Sequence, residues 1–163
     1  MTSCTLRQRT LASLVIALII ILDQITKHAV LAHFQSDSLM FSITPFLNFV
    51  LVKNQGISFG FLNFGHQTGV WILTILTISI TLGLLVWLWK SDGWIMVSSL
   101  ALIIGGAIGN ILDRIRHNAV IDFIDFHAAG WHWPAFNVAD SAITLGAGLM
   151  IMYQFKHKEV VSE

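Results

Sequence analysis

The chain has 163 residues, of which 55% are hydrophobic and 11% charged, and its formal net charge at pH 7 is zero. With a mean hydropathy of +0.75 it is far more apolar than a soluble globular domain, and no excess of positive charge points to nucleic-acid binding. The only cysteine, Cys4, excludes an intrachain disulfide and a thiolate metal cluster. The sequence therefore predicts one integral membrane domain over residues 1–163.

The first apolar run follows Arg7 and Arg9 and predicts a membrane-spanning helix over residues 10–32, since about 20 residues cross a bilayer. Asp23 and Lys27 lie in its outer third, and their i,i+4 spacing predicts an ion pair on one helix face. Such a pair either neutralises itself near the lipid headgroups or supports a reaction. Local chemistry leaves both interpretations open.

Residues 33–67 form the longest segment that contains polar residues. Its part from 39 to 52 is rich in Phe, Ile, Val and Thr and is interrupted by Pro45, which is typical of short strands. We expect this part to lie on the membrane surface and to lead into a turn at Asn54 and Gly56. The prediction is a small β-rich extracytoplasmic surface segment between the first and second helices.

Three further spans are predicted over residues 68–89, 94–112 and 136–155. Gly105 and Gly109 in the third span form a face of small residues that lets another helix approach closely. A short aromatic loop is expected between the third and fourth spans. The predicted fold class is therefore an all-α integral membrane protein with four transmembrane helices and the surface segment described above.

Four spans place both termini on the same side of the membrane. Cytoplasmic loops carry an excess of Lys and Arg, and Arg7 and Arg9 have no acidic neighbours, whereas Lys27 and Arg114 do. We therefore expect cytoplasmic termini and an aspartate-rich stretch at the outer face. The terminal side holds five basic residues and the other side four: Arg7, Arg9, Lys90, Lys156 and Lys158 against Lys27, Lys53, Arg114 and Arg116.

Residues 105–140 hold four aspartates between flanks that carry almost no charge. Ionisable residues at membrane depth are costly and indicate a functional site. Asn110, Asp113 and Arg114 follow an i, i+3, i+4 spacing on one helix face. Because Arg114 and Arg116 are near in sequence, we expect Asp113 to form an ion pair with them that caps the helix end.

Asp140 lies about one turn into the fourth span, with no basic residue near it in sequence. Such a carboxylate stays neutral or shares a proton with a second carboxylate, for which Asp122 and Asp125 are the candidates. Two carboxylates with one proton can activate water and protonate a leaving amine, as in aspartic proteases. Residue chemistry does not choose between Asp122 and Asp125.

Two other kinds of site compete with this interpretation. Carboxylates at the outer face can attract ions to a cation path. The nearby histidines could bind a metal, but their spacing matches no common zinc pattern, so no metal is expected. They are His117, His127 and His132.

The order of several motifs resembles bacterial lipoprotein signal peptidase, also called signal peptidase II, over nearly the whole chain. The GG-x-x-GN-x-x-DR and FN-x-AD blocks are specific, whereas DQ-x-x-K alone is weak. The motifs are DQITK at 23–27, NQG at 54–56, GGAIGNILDR at 105–114, VIDF at 120–123 and FNVAD at 136–140.

The resemblance implies an aspartic endopeptidase of the bacterial inner membrane with no cofactor. Its members remove the signal peptide from prolipoproteins on the N-terminal side of a diacylglyceryl-modified cysteine. The implied catalytic pair is Asp122 and Asp140. The implied partners are the prolipoprotein and membrane lipids, and a monomer is expected. The implied supporting residues are Asp23, Lys27, Asn54, Gly56, Gly106, Asn110, Asp113, Arg114 and Asn137.

One departure follows Gly56, where the family usually has small alanines and this chain has Ile57 and Ser58. Residues 41–64 are expected to cover the cleft and exclude water. The three asparagines in the motifs could orient the carboxylates or hold an oxyanion, and the sequence does not assign these roles.

Two rival functions belong to other classes. A small channel or transporter would need a polar stripe along a span, and below Asn110 and Thr144 the helices carry only scattered Ser and Thr. A non-catalytic assembly factor could bind partner helices through the glycine faces, but that role gives no reason for two unpaired carboxylates at matched depth. The peptidase is therefore the predicted function.

Overall fold

The computed structural model describes residues 5–34, 40–56 and 67–160, with side chains described as far as residue 155. The helices in this part of the chain are α1 (Leu6–His33), α2 (Gln67–Lys90), α3 (Trp94–His117) and α4 (Val138–Val160). All four are long and apolar enough to cross a membrane. The predicted membrane protein with four spanning helices is thus confirmed.

The third helix lies at the centre of the bundle and packs against the other three helices. Leu100 and Ile104 of α3 are completely buried, and Ala12 of α1 and Leu88 of α2 pack into the same cluster. The outward faces of α1, α2 and α4 carry exposed Leu and Ile side chains. In a bilayer these side chains contact lipid, so the buried part of the protein is built around α3.

Glycines of α3 allow this close packing. A β-carbon at Gly105 would lie 3.0 Å from Cβ of Ile19, and one at Gly109 would lie 2.6 Å from Oδ2 of Asp23. A β-carbon at Gly106 would collide with the carbonyl oxygen of Ala139. The prediction that Gly105 and Gly109 admit a neighbouring helix is confirmed, and Gly106 does the same for α4.

A four-stranded antiparallel sheet lies at the end of the bundle that contains the aspartates. Its strands are β1 (Met40–Thr44), β2 (Leu47–Asn54), β3 (Val120–Ala128) and β4 (Trp131–His132), in the order β1-β2-β3-β4. The first two strands confirm the predicted β-rich segment between α1 and α2. The other two occupy the connection between α3 and α4, where only a loop was expected. The pairing of β2 with β3 places Val52 opposite Asp122.

All four helices differ from the predicted spans at one or both ends, and the differences at the end of α3 and the start of α4 concern the aspartates. The third helix continues past the buried Asp113 to His117, and it is capped by Asn118, whose φ of 53° lies in the left-handed region. The fourth helix starts at Val138, since Phe136 pairs with Ile124 of β3 instead. Both shifts bring polar residues of the helix ends close to the sheet.

Candidate active site

Two carboxylates from different elements meet a shared group of asparagine amides. Asp122 on β3 accepts hydrogen bonds from Nδ2 of Asn137 at 2.7 Å and from Nδ2 of Asn54 at 3.0 Å. Asp140 in the first turn of α4 accepts one from Nδ2 of Asn110 at 2.8 Å. Nδ2 of Asn137 also lies 3.4 Å from Oδ1 of Asn110, so the amides join the two carboxylates into one network.

The start of α4 fixes the position of Asp140. Asn137 precedes the helix, and its Oδ1 accepts the backbone N–H of Asp140 at 2.9 Å, as an N-cap residue does. Oδ1 of Asp23 in α1 accepts the backbone N–H of Ala139 at 3.0 Å. A carboxylate at this position also interacts favourably with the helix dipole. Two polar side chains therefore hold the turn that carries Asp140.

The environment of Asp122 favours its protonated form near neutral pH. Burial, together with the negative charge of Asp140, raises the pKa of Asp122 from its ordinary value of 3.8 to about 7. Hydrogen bonds from Asn54 and Asn137 and the charge of Lys27 act in the opposite direction. A carboxyl group with a pKa near 7 can both hold and release a proton at physiological pH.

Asp125, the other candidate on β3, lies in a separate cluster. It is buried and accepts hydrogen bonds from Nδ2 of Asn48 at 2.9 Å and from Nδ1 of His132 at 2.9 and 3.0 Å. Burial raises its pKa, but these partners outweigh burial and leave the pKa below its usual value. An ionised, fully bonded carboxylate of this kind stabilises the sheet, and only Asp122 joins the network of Asp140.

A buried lysine lies behind the asparagines. Lys27 is 2% exposed, and its Nζ forms ion pairs with Asp23 at 2.8 Å and Asp113 at 2.7 Å. The predicted pair between Asp23 and Lys27 is thus confirmed. Nζ also donates to Oδ1 of Asn110 at 3.2 Å, which connects the ion pairs to the network.

The predicted ion pair of Asp113 with its neighbours in sequence is wrong. Successive residues of a helix do not face each other, and Asp113 turns instead toward Lys27 of α1. Its Oδ2 also accepts the backbone N–H of Ile121 at 3.0 Å, which ties α3 to β3. Among the described residues Arg114 forms no ion pair or hydrogen bond, and Arg116 donates to Oε1 of Gln24 at 2.8 Å.

Gln24 is a member of the cluster that sequence reasoning missed. Its Nε2 donates to Oδ1 of Asp113 at 3.0 Å and to Oδ2 of Asp23 at 3.2 Å. The sequence carries one signal for this role, since Gln24 is an amide side chain next to Asp23 within an otherwise apolar run. Gly56, which was predicted, contributes its backbone: its N–H donates to Oδ1 of Asn54 at 3.0 Å. Ile57, Ser58 and the part of the expected cover from 57 to 64 lie outside the described residues.

Two cavities reach Asp140. One of about 350 Å³ lies between α2, α3 and α4 and is lined by Arg114 and Asn54 as well as Asp140. Its apolar lining follows one face of α2 through Leu73, Leu76, Thr77 and Ile80. The other, of about 490 Å³, lies beside the start of α4 and is lined by Trp133, Pro134, Ala135, Phe136, Asp140, Ser141, Thr144 and Leu145.

The described part of the chain contains no group of three or more His, Cys, Asp or Glu side chains arranged to hold a metal ion. In this part of the chain, His117, His127 and His132 therefore belong to no group of three possible metal ligands. His127 and His132 stack on each other with ring centroids 5.1 Å apart. A reaction without a metal remains a prediction.

Comparison with known proteins supports the resemblance to signal peptidase II along most of the chain. Residues 15–156 match the family described as Signal peptidase (SPase) II. A lipoprotein signal peptidase of Burkholderia mallei (strain SAVP1) is 50% identical over 139 residues, which cover 83% of this chain and 82% of that protein. A lipoprotein signal peptidase of Polynucleobacter necessarius subsp. necessarius (strain STIR1) is 43% identical over 135 residues, 82% of each chain.

Solved structures of bacterial membrane enzymes share the fold. One, determined by the in meso method, superposes with a TM-score of 0.77 at 31% identity and covers 91% of this chain and 90% of its own. A second gives a TM-score of 0.73 at 32% identity, with 90% and 94% covered. The four spanning helices, the buried acidic network and these matches lead to one assignment. The chain belongs to the signal peptidase II family of aspartic-type peptidases, which remove signal peptides from prolipoproteins.

Proposed function

We propose that this protein cleaves diacylglyceryl-modified prolipoproteins on the N-terminal side of the lipidated cysteine, with Asp122 and Asp140 as the catalytic pair. One observation carries the proposal: two buried or half-buried carboxylates, from β3 and α4, are bound by the same group of amides. The charge of Asp140 also affects the titration of Asp122. Two carboxyl groups that interact in this way can hold a single proton between them.

The reaction follows from that shared proton. The ionised carboxylate removes a proton from a water molecule, whose oxygen attacks the carbonyl carbon of the scissile peptide bond. The protonated carboxyl group stabilises the oxygen of the tetrahedral intermediate by a hydrogen bond. When the C–N bond breaks, a carboxyl group donates a proton to the leaving amine, and the pair again holds one proton. No covalent intermediate and no cofactor are required.

The asparagines orient the carboxylates in this proposal. Nδ2 of Asn54 and Nδ2 of Asn137 already donate to Asp122, and Nδ2 of Asn110 donates to Asp140, which leaves these groups engaged before substrate arrives. Arg114 is half-buried, lines the cavity at Asp140 and forms no hydrogen bond or ion pair among the described residues. Its guanidinium is therefore suited to bind a peptide carbonyl of the substrate.

The cavity between α2, α3 and α4 is suited to an apolar segment of the substrate. Its lining residues on α2 recur at i, i+3, i+4 and i+7, so the cavity runs along the helix into the membrane region. The scissile bond then meets Asp140 at the end of the bundle that carries the sheet. We further propose that the termini are cytoplasmic, that the site lies near the outer face of the inner membrane, and that the protein acts as a monomer.

Cleavage of a purified diacylglyceryl prolipoprotein in detergent, with a chelator present, tests the proposal. Asp122→Asn and Asp140→Asn are each expected to abolish cleavage while thermal unfolding remains cooperative. Asp125→Asn is the matched control, because it changes another buried carboxylate of the same strand, and it should retain cleavage. Full cleavage by either of the first two variants, or loss of activity with the chelator, would overturn the mechanism.

A further inference from the structure

The orientation of an asparagine side chain is set by its neighbours, because its oxygen accepts and its NH₂ group donates. All three asparagines of the site direct NH₂ to a carboxylate, and in each the oxygen is bound by a donor. Oδ1 of Asn54 accepts the backbone N–H of Gly56 at 3.0 Å. Oδ1 of Asn137 accepts the backbone N–H of Asp140 at 2.9 Å. These two donors are backbone groups that no side-chain substitution removes.

Asn110 differs because side chains bind its oxygen. Nζ of Lys27 donates to Oδ1 at 3.2 Å, and Nδ2 of Asn137 lies at the longer distance of 3.4 Å. If the amide turned by 180°, its NH₂ group would face the ammonium and its oxygen would face Asp140. Both contacts would be repulsive, so the charge of Lys27 selects the observed orientation.

Lys27 makes more contacts than ion pairing needs. An ammonium group has three hydrogens, and those of Lys27 have three acceptors: Asp23 at 2.8 Å, Asp113 at 2.7 Å and Asn110 at 3.2 Å. The two negative charges of these carboxylates already outnumber the single positive charge of Lys27. The third acceptor is the amide that binds Asp140, so Lys27 is joined to the reacting group through a single side chain.

The amide of Asn110 determines which oxygen of Asp140 is engaged. Its Nδ2 donates to Oδ1 of Asp140 at 2.8 Å, while Oδ2 has no hydrogen-bond donor among the described residues. Asp140 also lines both cavities of the site. Oδ2 therefore remains for water or substrate, provided that Asn110 holds Oδ1.

We propose that Lys27 is a positioning residue: it fixes the orientation of the Asn110 amide and thereby holds Oδ1 of Asp140, leaving Oδ2 for the reaction. This inference rests on the proposed catalytic role of Asp140. Replacement of a purely structural lysine would affect stability alone. Replacement of a positioning lysine also lowers kcat and leaves KM nearly unchanged, and the loss of kcat occurs only when Asn110 is present.

The test is a double-mutant cycle between Lys27 and Asn110. Removal of Lys27 alone leaves Asp23 and Asp113 unpaired and risks unfolding, so the working variant is Lys27→Met combined with Asp113→Asn. That combination keeps the net charge that the cluster has in the parent, and Asp113→Asn alone, which carries one positive charge more, is its reference. The same pair of proteins is made with Asn110→Ala, and Thr26→Val serves as a control on α1.

With Asn110 present, adding Lys27→Met to the reference is expected to lower kcat about tenfold with KM little changed. With Asn110→Ala it should lower kcat no further, although the melting temperature falls by a similar amount in both backgrounds. An equal loss of kcat in the two backgrounds, or no loss in either, would overturn the positioning role. Cleavage retained by Asp140→Asn in the same assay would instead refute the proposed function.

Discussion

The carboxylate of Asp23 accepts a hydrogen bond of 3.0 Å from the backbone N–H of Ala139. An acid of α1 thus caps the first turn of α4, and the next residue along is Asp140. The other oxygen of Asp23 pairs with Lys27 at 2.8 Å. One residue of the first helix, Asp23, therefore serves both the start of α4 and the buried cation.

Asp23→Ala removes both the cap and the ion pair. Because Lys27 keeps Asp113 as a partner, the expected loss is about 2 kcal/mol in the free energy of unfolding. Asp23→Asn keeps an acceptor for the N–H of Ala139 and should lose less. Thermal or denaturant unfolding in detergent measures both variants. Equal losses in the two would contradict the capping role.

Gly106→Ala places a methyl group against α4. The added carbon would meet the carbonyl oxygen of Ala139 and lie 2.8 Å from Cγ1 of Ile143, so α3 and α4 must separate close to Asp140. The expected loss of stability is about 1–3 kcal/mol, with cleavage reduced more than tenfold.

Gly148→Ala is the matched control for that substitution, since no described atom beyond the surrounding turns of its own helix lies within 4 Å of the added carbon. Alanine is favoured over glycine in a helix by up to about 1 kcal/mol, so this variant should be as stable as the parent or more so. Its cleavage rate should be unchanged. Equal damage by both alanines would show that helix separation is not the cause.

The raised pKa of Asp122 predicts a pH dependence of stability. The folded protein holds a proton on Asp122 up to about pH 7, whereas the unfolded chain releases it near 3.8. Between these values the folded state binds more protons than the unfolded chain. The contribution of Asp122 therefore lowers the free energy of unfolding as the pH rises, by up to about 4 kcal/mol at neutral pH. Below pH 3.8 this cost disappears.

Asp122→Asn removes this contribution. The melting temperature of the variant minus that of the parent should therefore increase as the pH rises from 4 to 7 and level off above 7. Thermal unfolding across that range measures the difference. The cleavage rate of the parent should fall above about pH 7, as the second carboxyl group ionises. A melting difference independent of pH would contradict the assigned pKa.

Asp113 and Arg114 are adjacent in sequence but are expected to respond differently to substitution. Asp113→Ala removes a partner of buried Lys27 and an acceptor of the Ile121 N–H, so the melting temperature should fall strongly. Arg114→Gln removes no ion pair among the described residues and should leave the melting temperature near that of the parent while raising KM. Melting curves and cleavage kinetics separate the two outcomes. A fall in stability for Arg114→Gln would point to a structural role instead.

The spans were predictable because apolar runs of the required length are unambiguous. The strand β3 was not, because two aspartates in nine residues disfavour a strand. Asp122 and Asp125 become acceptable there only when Asn54 of β2 and His132 of β4 are adjacent. These contacts join residues that are far apart in the sequence, so they produce no local pattern of apolar and polar residues from which the strand could be predicted.

The resemblance identifies the proposed catalytic pair, Asp122 and Asp140, whereas the geometry around these residues comes only from the structure. Sequence spacing identifies neighbours on one helix, which is how the pair of Asp23 and Lys27 was found. It cannot show that Lys27 reaches Asp113 on α3. The wrong partner was predicted for Asp113 because Arg114 and Arg116 are close to it along the chain. The roles of the asparagines depend on contacts between helices, which sequence spacing does not show either.

The pairing of β2 with β3 has a consequence for biosynthesis. β2 follows α1, but its partner is made only after α2 and α3. During synthesis one edge of the β1–β2 hairpin therefore stays without its partner while two more helices enter the membrane, and open edges of this kind are prone to mispairing. The contact of Asn54 with Asp122 forms only when β3 arrives. Assembly of the acidic site is thus a late event, and a chain released before β3 would carry no peptidase activity.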